Sequence, residues 1–338
     1  MSAFEKFHTS FTIPSDDGGL VVQLWDRPGR WLDDGALGRL VDDLRTVAIA
    51  GQRGKPMPQY GALLGERDDL ARRCITLVTL KRTGEPIGFC ALAYFDIVMG
   101  ARLISVVHLG LLYVVPDHQH RHLSNVLYGA STLLLLTRGG LQPFWISNVS
   151  QVPAAIGLTA RHYDDVYPRP DKGARQSFMH LALARAILRD HRRAFGVGDD
   201  ARFNEQRQVI ENAYTGGSDD LKKTWDEAPK HRDPAINEMC RTWLDYDRGD
   251  DVLQLGRCNL KSMTRFFRSK LPKSAAISVA WRALMLVLLG VVSPVVAWLL
   301  APEYDVRGRR RDEGIRTLAV RAMSTSSSLT PPSAGNAS

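Results

Sequence analysis

Cysteine is scarce in this sequence, and the few cysteines stand far apart. The 338 residues include 4 cysteines, with no CxxC pair among them. Their positions are Cys74, Cys90, Cys240 and Cys258. Disulfide frameworks and structural zinc sites use cysteines at short, regular spacing, so we expect neither. A reducing compartment is the simpler interpretation.

Other familiar features are also missing. The N-terminal stretch MSAFEKFHTSFTIPSDDGG has no apolar core of signal-peptide length, so we expect no secretory signal and a chain that starts in the cytoplasm. The sequence has no visible internal repeat, P-loop, GxSxG or HExxH motif. Hydrophobic residues make up 44% and charged residues 24%. That ordinary composition excludes a wholly disordered, collagen-like or multi-span membrane protein.

Acidic residues are outnumbered by basic ones, which bears on the choice of partner. Lys and Arg number 44 against 36 Asp and Glu, for a net charge of +8. A basic protein favours anionic partners, here nucleic acid, anionic lipid or a phosphate-bearing cofactor. Nucleic acid is the weakest of the three, because the short basic run RGRRR adjoins an apolar segment, as in membrane-surface anchors.

Apolar periodicity predicts an α/β fold. Residues 31–49 have apolar side chains at helical spacing. Three apolar runs, CITLVTLKR, IGFCALAYFDIV and LISVVHLGLLYVV, are separated by tight turns and predict antiparallel strands with both faces covered. A helix, a strand (PFWISNVS) and a second helix (VPAAIGLTARHY) follow. We therefore expect a mixed, mostly antiparallel sheet flanked by helices.

Composition divides the chain into five segments. We expect a polar leader at 1–20, an α/β core at 21–185, a mixed helical and strand extension at 186–272, an apolar segment at 273–302 and a tail at 303–338. The tail is rich first in Arg and then in Ser, Thr and Pro, which predicts disorder.

One strand, loop and helix in succession form a candidate anion site. In LGLLYVVPDHQHRHLSNVLYGASTLLLL an apolar strand leads into a cationic loop, and a helix begins directly after it. Free N–H groups and the helix dipole favour phosphate binding at such a helix start. Arg121 and the histidines His118, His120 and His122 add to the cationic character.

This segment resembles motif A of the GCN5-related N-acetyltransferase (GNAT) superfamily. There a strand ending V-x-P precedes Q/R-x-x-G-x-G/A and a helix. Val114-Val115-Pro116 leads here to Gln119, which matches, whereas His122 stands in place of the first Gly and Ser124 in place of Gly or Ala. The resemblance covers roughly residues 70–170.

The resemblance implies an acyl thioester as substrate and assigns residues to it. Backbone groups of Leu112, Tyr113 and Val114 would hold the pantetheine arm and the thioester carbonyl. The family also has an Asn near the end of the next strand, and Asn148 matches it as a candidate catalytic residue. The phosphates would lie on the loop formed by Gln119, His120, Arg121, His122, Leu123 and Ser124.

The resemblance also implies a tyrosine on the following helix that protonates the departing thiolate. Alignment of that helix places Thr159 at the acid position, and Tyr163 lies one turn further on. Tyr163 is therefore the candidate acid.

His108 is the candidate base. A neutral imidazole in this strand, about four residues before the thioester-binding stretch, is suited to take a proton from an attacking amine. A hydrogen-bonded core histidine on an apolar strand is the alternative interpretation.

We expect no metal. The alternating loop histidines resemble zinc ligands, but no Cys lies at familiar spacing. Asp245, Asp247 and Asp251 faintly resemble a calcium loop without its glycine and glutamate in register. A solvated turn with an internal ion pair to Arg248 is the alternative for this segment.

A run of about 20 uncharged residues, Ala283–Pro302, has the length of one bilayer crossing. Both of its flanks are basic, which argues against a simple span, and Pro294 interrupts it. An in-plane or re-entrant segment keeps residues 265–311 on an anionic cytoplasmic membrane face. A buried core helix is the alternative.

The sequence thus supports two hypotheses. The first is a membrane-associated acyltransferase that moves an acyl group, possibly long, from a CoA or acyl-carrier-protein thioester to an amine. In outline it is similar to N-acyl amino acid synthases and acyl-homoserine lactone synthases. The second is a catalytically inactive, membrane-tethered binding or regulatory module of the same fold, which His122 and Thr159 would permit.

Overall fold

An eleven-stranded sheet forms the centre of the protein. The structure is a computed structural model that describes residues 6–270 apart from 16–17, 53, 60, 122 and 172. The strands are β1 Phe7–Ile13, β2 Leu20–Asp26, β3 Arg73–Leu80, β4 Pro86–Met99, β5 Arg102–His108, β6 Leu112–Val114, β7 Phe144–Ser150, β8 Asp164–Tyr167, β9 Arg202–Asn204, β10 Val209–Glu211 and β11 Asp251–Cys258.

The sheet is mixed and mostly antiparallel, as the apolar runs predict. Its order is β1-β2-β3-β4-β5-β7-β11-β10-β9, with β6 on β4 and β8 on β11. The pair β5–β7 is parallel, and the other pairs of described strands are antiparallel. Strand β1 lies inside the segment 1–20, where the sequence predicts only a polar leader. It pairs with β2 along its full length, from Phe7↔Asp26 to Ile13↔Leu20.

Helices cover both faces of the sheet. They are α1 Asp34–Gly51, α2 Arg67–Leu70, α3 Leu123–Arg138, α4 Pro153–His162, α5 Phe178–Asp190, α6 Pro234–Trp243 and α7 Leu260–Lys270. Strand β4 directs Phe89 and Phe95 to the face covered by α1 and α5, and Leu92 to the face covered by α3, because side chains alternate along a strand.

Local sequence sets where the helices begin. The Asp33 carboxylate accepts a hydrogen bond from the Ala36 N–H at 2.7 Å, which caps α1. Ser177 and His180 form a reciprocal capping box at the start of α5. Pro153 and Pro234 occupy first-turn positions of α4 and α6, where a missing N–H costs nothing.

The segment 186–272 completes the same sheet. Strand β11 pairs with β7 over seven residue pairs, from Val252↔Ser150 to Cys258↔Phe144. The described residues of 6–270 form one compact unit.

The apolar segment and the tail lie outside the described residues. The predictions for 273–302 and 303–338, and for the run Ala283–Pro302, therefore stay predictions. Within the described ranges of 6–270, no helix has both the length and the apolarity to cross a bilayer.

Candidate active site

The parallel strands β5 and β7 separate at the middle of the sheet. They pair over three residues, from Val106↔Trp145 to His108↔Ser147. The Leu109 N–H still donates to the Ser147 carbonyl at 2.7 Å. Beyond that point β6 pairs with β4 and the end of β7 with β11. An opening therefore lies between β6 and the end of β7.

A bulge at Gly110 directs the chain into β6. Leu109 packs in the core on the α3 face, whereas Leu111, two residues later, packs on the α1 face, so the alternation of a regular strand is broken. A Cβ on Gly110 would lie 2.3 Å from the Ala91 carbonyl oxygen. Only glycine fits this close approach, so the sequence itself fixes the place of the bulge.

Two residues of β6 turn their backbone groups towards the opening. The Ala91 N–H donates to the Leu111 carbonyl at 2.8 Å, and the Val115 N–H donates to the Ile87 carbonyl at 2.9 Å. Backbone groups of successive residues in such a ladder alternate in direction, so those of Leu112 and Val114 point away from β4. The Val114 carbonyl accepts from Gln119 Nε2 at 3.3 Å. The other backbone N–H and C=O groups of Leu112 and Val114 line the opening in the way that backbone groups line the unpaired edge of a sheet.

The cationic loop makes a short 3-10 turn, Pro116–Arg121, before α3 begins at Leu123. Leu123 is buried in the core, and Ser124 is half-buried. His122 lies outside the described residues, as do the side chains of His120 and Arg121. The strand, the turn and the helix start thus follow one another as the motif predicts.

His108 lies at the last paired position before the opening, on the face covered by α5. Its ring is 2% exposed and its Nδ1 is 3.1 Å from the Ser147 hydroxyl. Phe95 stacks on it with a centroid distance of 5.3 Å, and Phe195 lies at 5.1 Å. Burial, and then the charge of Arg73, lower the pKa of His108 to about 3. The ring is therefore neutral at physiological pH, and its role as base stays a prediction.

Arg73 is a buried charge that the sequence reasoning missed. Its side chain is 2% exposed, and it forms a bidentate ion pair with Asp69, with Nη2 2.8 Å from Oδ1. Nη2 also donates to the Ala194 carbonyl at 3.4 Å. Asp69 lies in α2 and Arg73 begins β3, so no helical spacing in the sequence marks this pair.

Tyr163 lies on the opposite face of the sheet from His108. It follows α4 directly, and its hydroxyl is 3.5 Å from Thr132 Oγ1 of α3. Burial raises the pKa of Tyr163, so its hydroxyl stays protonated. A cavity with room for about one water molecule adjoins it, lined in part by Tyr128, Ser262 and Phe266. Thr159, at the aligned acid position, is buried.

Asn148 adjoins the opening, one residue beyond Ser147. It is 6% exposed, and its Nδ2 donates to Gln254 Oε1 at 3.2 Å. Gln254 Nε2 in turn donates to the Pro168 carbonyl at 3.0 Å. Sequence reasoning missed Gln254, because 106 residues separate it from Asn148 and nothing local marks it.

Among the residues that the structure describes, no three His, Cys, Asp or Glu side chains converge as a possible metal site. The Asp245 carboxylate accepts from the N–H groups of Asp247 and Arg248, and Arg248 pairs with Asp250 at 2.7 Å. The turn at 245–251 is thus closed by its own hydrogen bonds and ion pair.

Comparison with known proteins gives matches among solved structures alone. No family model and no curated protein matches the sequence. An acetyltransferase from Vibrio fischeri is 11% identical over 34% of this chain and 90% of its own, with a TM-score of 0.25. An aminoglycoside N-acetyltransferase in complex with CoA is 13% identical over 41% and 76%, with a TM-score of 0.22. A GCN5-related N-acetyltransferase from Kribbella flavida is 14% identical over 42% and 33%, with a TM-score of 0.27.

All three are acetyltransferases by their descriptions, and one of them is described as a GCN5-related N-acetyltransferase. At such identities and scores the likeness is partial and says nothing about activity, substrate or individual residues.

Proposed function

We propose that this chain is an acyltransferase that moves an acyl group from a CoA or acyl-carrier-protein thioester to an amine. The observation that supports it is the opening between β6 and β7, which the bulge at Gly110 creates beside the start of α3. Backbone groups of Leu112 and Val114 face that opening, and a helix start suited to phosphates lies a few residues along the chain. A thioester on a long phosphate-bearing arm needs both features.

The transfer is a direct displacement. The amine nitrogen forms a bond to the thioester carbonyl carbon and loses a proton, while the C–S bond breaks and the thiolate gains a proton. N–H groups of the β6 edge polarise the carbonyl as negative charge develops on its oxygen. His108 takes the proton from the amine, and Tyr163 supplies the proton to the thiolate.

The two proton carriers lie on opposite faces of the sheet, which is compatible with two substrates that meet in the opening. A donor along α3 would bring its sulfur to the Tyr163 face, and an acceptor on the other face would have to reach His108 past Phe95 and Phe195, which pack against its ring. Burial keeps His108 neutral at any pH well above 3, and the same low pKa makes its imidazole a weak base.

The finer parts of the proposal rest on the sequence outside the described residues. The uncharged run Ala283–Pro302 with its basic flanks supports attachment of residues 265–311 to an anionic membrane surface on the cytoplasmic side. Attachment to a membrane favours a long acyl chain or a lipid-like acceptor.

A second candidate function is a membrane-tethered binding module without turnover. The observation that favours it is His122, which replaces the small residue of motif A where the backbone must approach the pyrophosphate. His122→Gly discriminates the two, because it should raise CoA affinity if the loop binds the phosphates.

Thermal unfolding of the detergent-purified full chain with acyl-CoAs of increasing length tests the proposal. A ligand that binds the native state raises the Tm. We expect a shift for acyl-CoA that grows with chain length, and we expect His108→Ala to abolish transfer to an amine. A flat response to free CoA and to every acyl-CoA would contradict CoA as donor and favour the binding module.

A further inference from the structure

Gln254 is a wholly buried polar side chain in the middle of strand β11. It lies in β11 directly opposite Asn148 in β7, and its neighbours Leu253 and Leu255 are also fully buried. A buried amide is tolerated when its hydrogen bonds are made, and both ends of this one are bonded. Its partners are the Asn148 side chain and the Pro168 carbonyl.

The Pro168 carbonyl fixes the orientation of both amides. A backbone carbonyl accepts hydrogen bonds and never donates them, so the group of Gln254 that faces it must be the NH2. The oxygen of Gln254 then faces Asn148, and the group of Asn148 that meets it must also be the NH2. Rotation of either amide by half a turn would place two donors or two acceptors against each other.

This arrangement leaves the side-chain oxygen of Asn148, Oδ1, available to accept a hydrogen bond. Among the residues that the structure describes, Oδ1 of Asn148 has no hydrogen-bond partner, whereas its Nδ2 is held by Gln254. Asn148 follows Ser147, where the pairing of β7 with β5 ends, and it shares the α3 face with Ile146. A held oxygen at the edge of the opening selects a ligand N–H and rejects a ligand carbonyl.

We infer that Gln254 is a positioning residue that holds the Asn148 amide so that Oδ1 accepts an amide N–H from the pantetheine arm of the donor. This inference rests on the proposed function, because it requires a pantetheine thioester in the opening. Gln254 itself does not touch the donor. It acts through Asn148, and the Pro168 carbonyl supplies the orientation.

Binding measurements on the full chain separate this role from a general loss of structure. Calorimetric titration uses two probes, CoA and adenosine 3′-phosphate 5′-diphosphate, which is CoA without its pantetheine arm. Gln254→Met should weaken CoA binding about tenfold, the scale of one hydrogen bond, and leave binding of the nucleotide within about twofold. Gln208→Met is the matched control, because Gln208 is equally buried and lies outside this chain of amides. It should leave both affinities unchanged.

The double variant tests whether Gln254 works through Asn148. If it does, Gln254→Met combined with Asn148→Ala should bind CoA no more weakly than Asn148→Ala alone. Additive losses, an equal loss for both probes, or an unchanged CoA affinity in Gln254→Met would each overturn the inference.

Gln254→Glu provides a second variant of nearly unchanged shape. A protonated glutamic acid can still donate to Pro168 and accept from Asn148, whereas a carboxylate cannot donate. Its CoA affinity, relative to the native chain at the same pH, should therefore fall as pH rises through the titration of the new carboxyl group. If the CoA affinity of the variant relative to the native chain does not change with pH, the proposed positioning of Asn148 through residue 254 is wrong. If the native chain binds the nucleotide and not CoA, the inference is wrong; if it binds neither, CoA as the donor of the proposed function fails as well.

Discussion

At the residue scale, a buried ionisable group connects the stability of the fold to pH. His108 is almost wholly buried, and its pKa falls from 6.5 to about 3. The unfolded chain therefore binds a proton at this residue below about pH 6.5, while the folded chain does not until about pH 3. The contribution of neutral His108 to stability is complete above that range and is lost as pH falls through it.

We expect His108→Gln to reduce the acid sensitivity of the fold. One proton of difference corresponds to about 1.4 kcal/mol per pH unit, so the variant should lose roughly 2–3 kcal/mol less than the native chain between about pH 6 and pH 4. Urea unfolding of both chains at several pH values measures this. Parallel stability curves for the two chains would contradict the low pKa.

The ion pair of Arg73 and Asp69 gives a second prediction at this scale. Asp69→Asn leaves the guanidinium of Arg73 buried without a counter-charge, which costs about 3 kcal/mol in comparable sites. The midpoint of urea unfolding should fall accordingly. Asp190→Asn is the control, since the Arg189–Asp190 pair is solvent-exposed and should contribute nothing measurable. Equal effects of the two substitutions would contradict the importance of burial.

At the element scale, the packing of α7 on α3 depends on the absence of a side chain at Gly129. A Cβ there would lie 2.8 Å from Cε1 of Phe266. Gly38, in α1, has open space where its Cβ would be. The same substitution should therefore have opposite effects in two helices.

We expect Gly38→Ala to stabilise the fold by about 0.5–1 kcal/mol through helix propensity. We expect Gly129→Ala to destabilise it by about 1 kcal/mol or more, because overpacking against Phe266 exceeds the same propensity gain. Thermal unfolding of the two variants measures both effects. A Gly129→Ala chain as stable as Gly38→Ala would show that α7 moves aside without cost.

Elements with strong periodicity could be predicted from the sequence, and their interruptions could not. The helix predicted at 31–49 is α1, displaced by two or three residues because Asp33 caps it. The apolar run 103–115 is divided by the bulge at Gly110, which leaves its apolar composition unchanged. Strand β1 was not predicted, because it is a mostly exposed edge strand with little apolar alternation. The hydrogen bonds of Gln254 could not be predicted, because its partners are distant in the sequence.

At the scale of the whole molecule, the basic charge suits both proposed partners, an anionic membrane surface and a phosphate-bearing donor. The chain has a net charge of +8, and four arginines, Arg307, Arg309, Arg310 and Arg311, follow the apolar run. Each basic residue close to an anionic surface contributes about 1 kcal/mol to binding. The phosphates of CoA, in the proposed site, meet a helix start rather than these arginines.

The full chain with all four arginines replaced by alanine tests the membrane attachment. We expect the native chain to float with vesicles that contain phosphatidylglycerol, and the variant to bind them more weakly by up to about a thousandfold. Attachment of the native chain should weaken as salt is raised, because screening acts on exposed charges. Vesicles of phosphatidylcholine alone are the control, and equal binding to both vesicle types would mean that the apolar run attaches the chain without help from charge.

CoA affinity should be the same in both chains, because donor binding depends on the opening between β6 and β7. A parallel loss of CoA affinity would place the arginines at the donor site and contradict this division of roles.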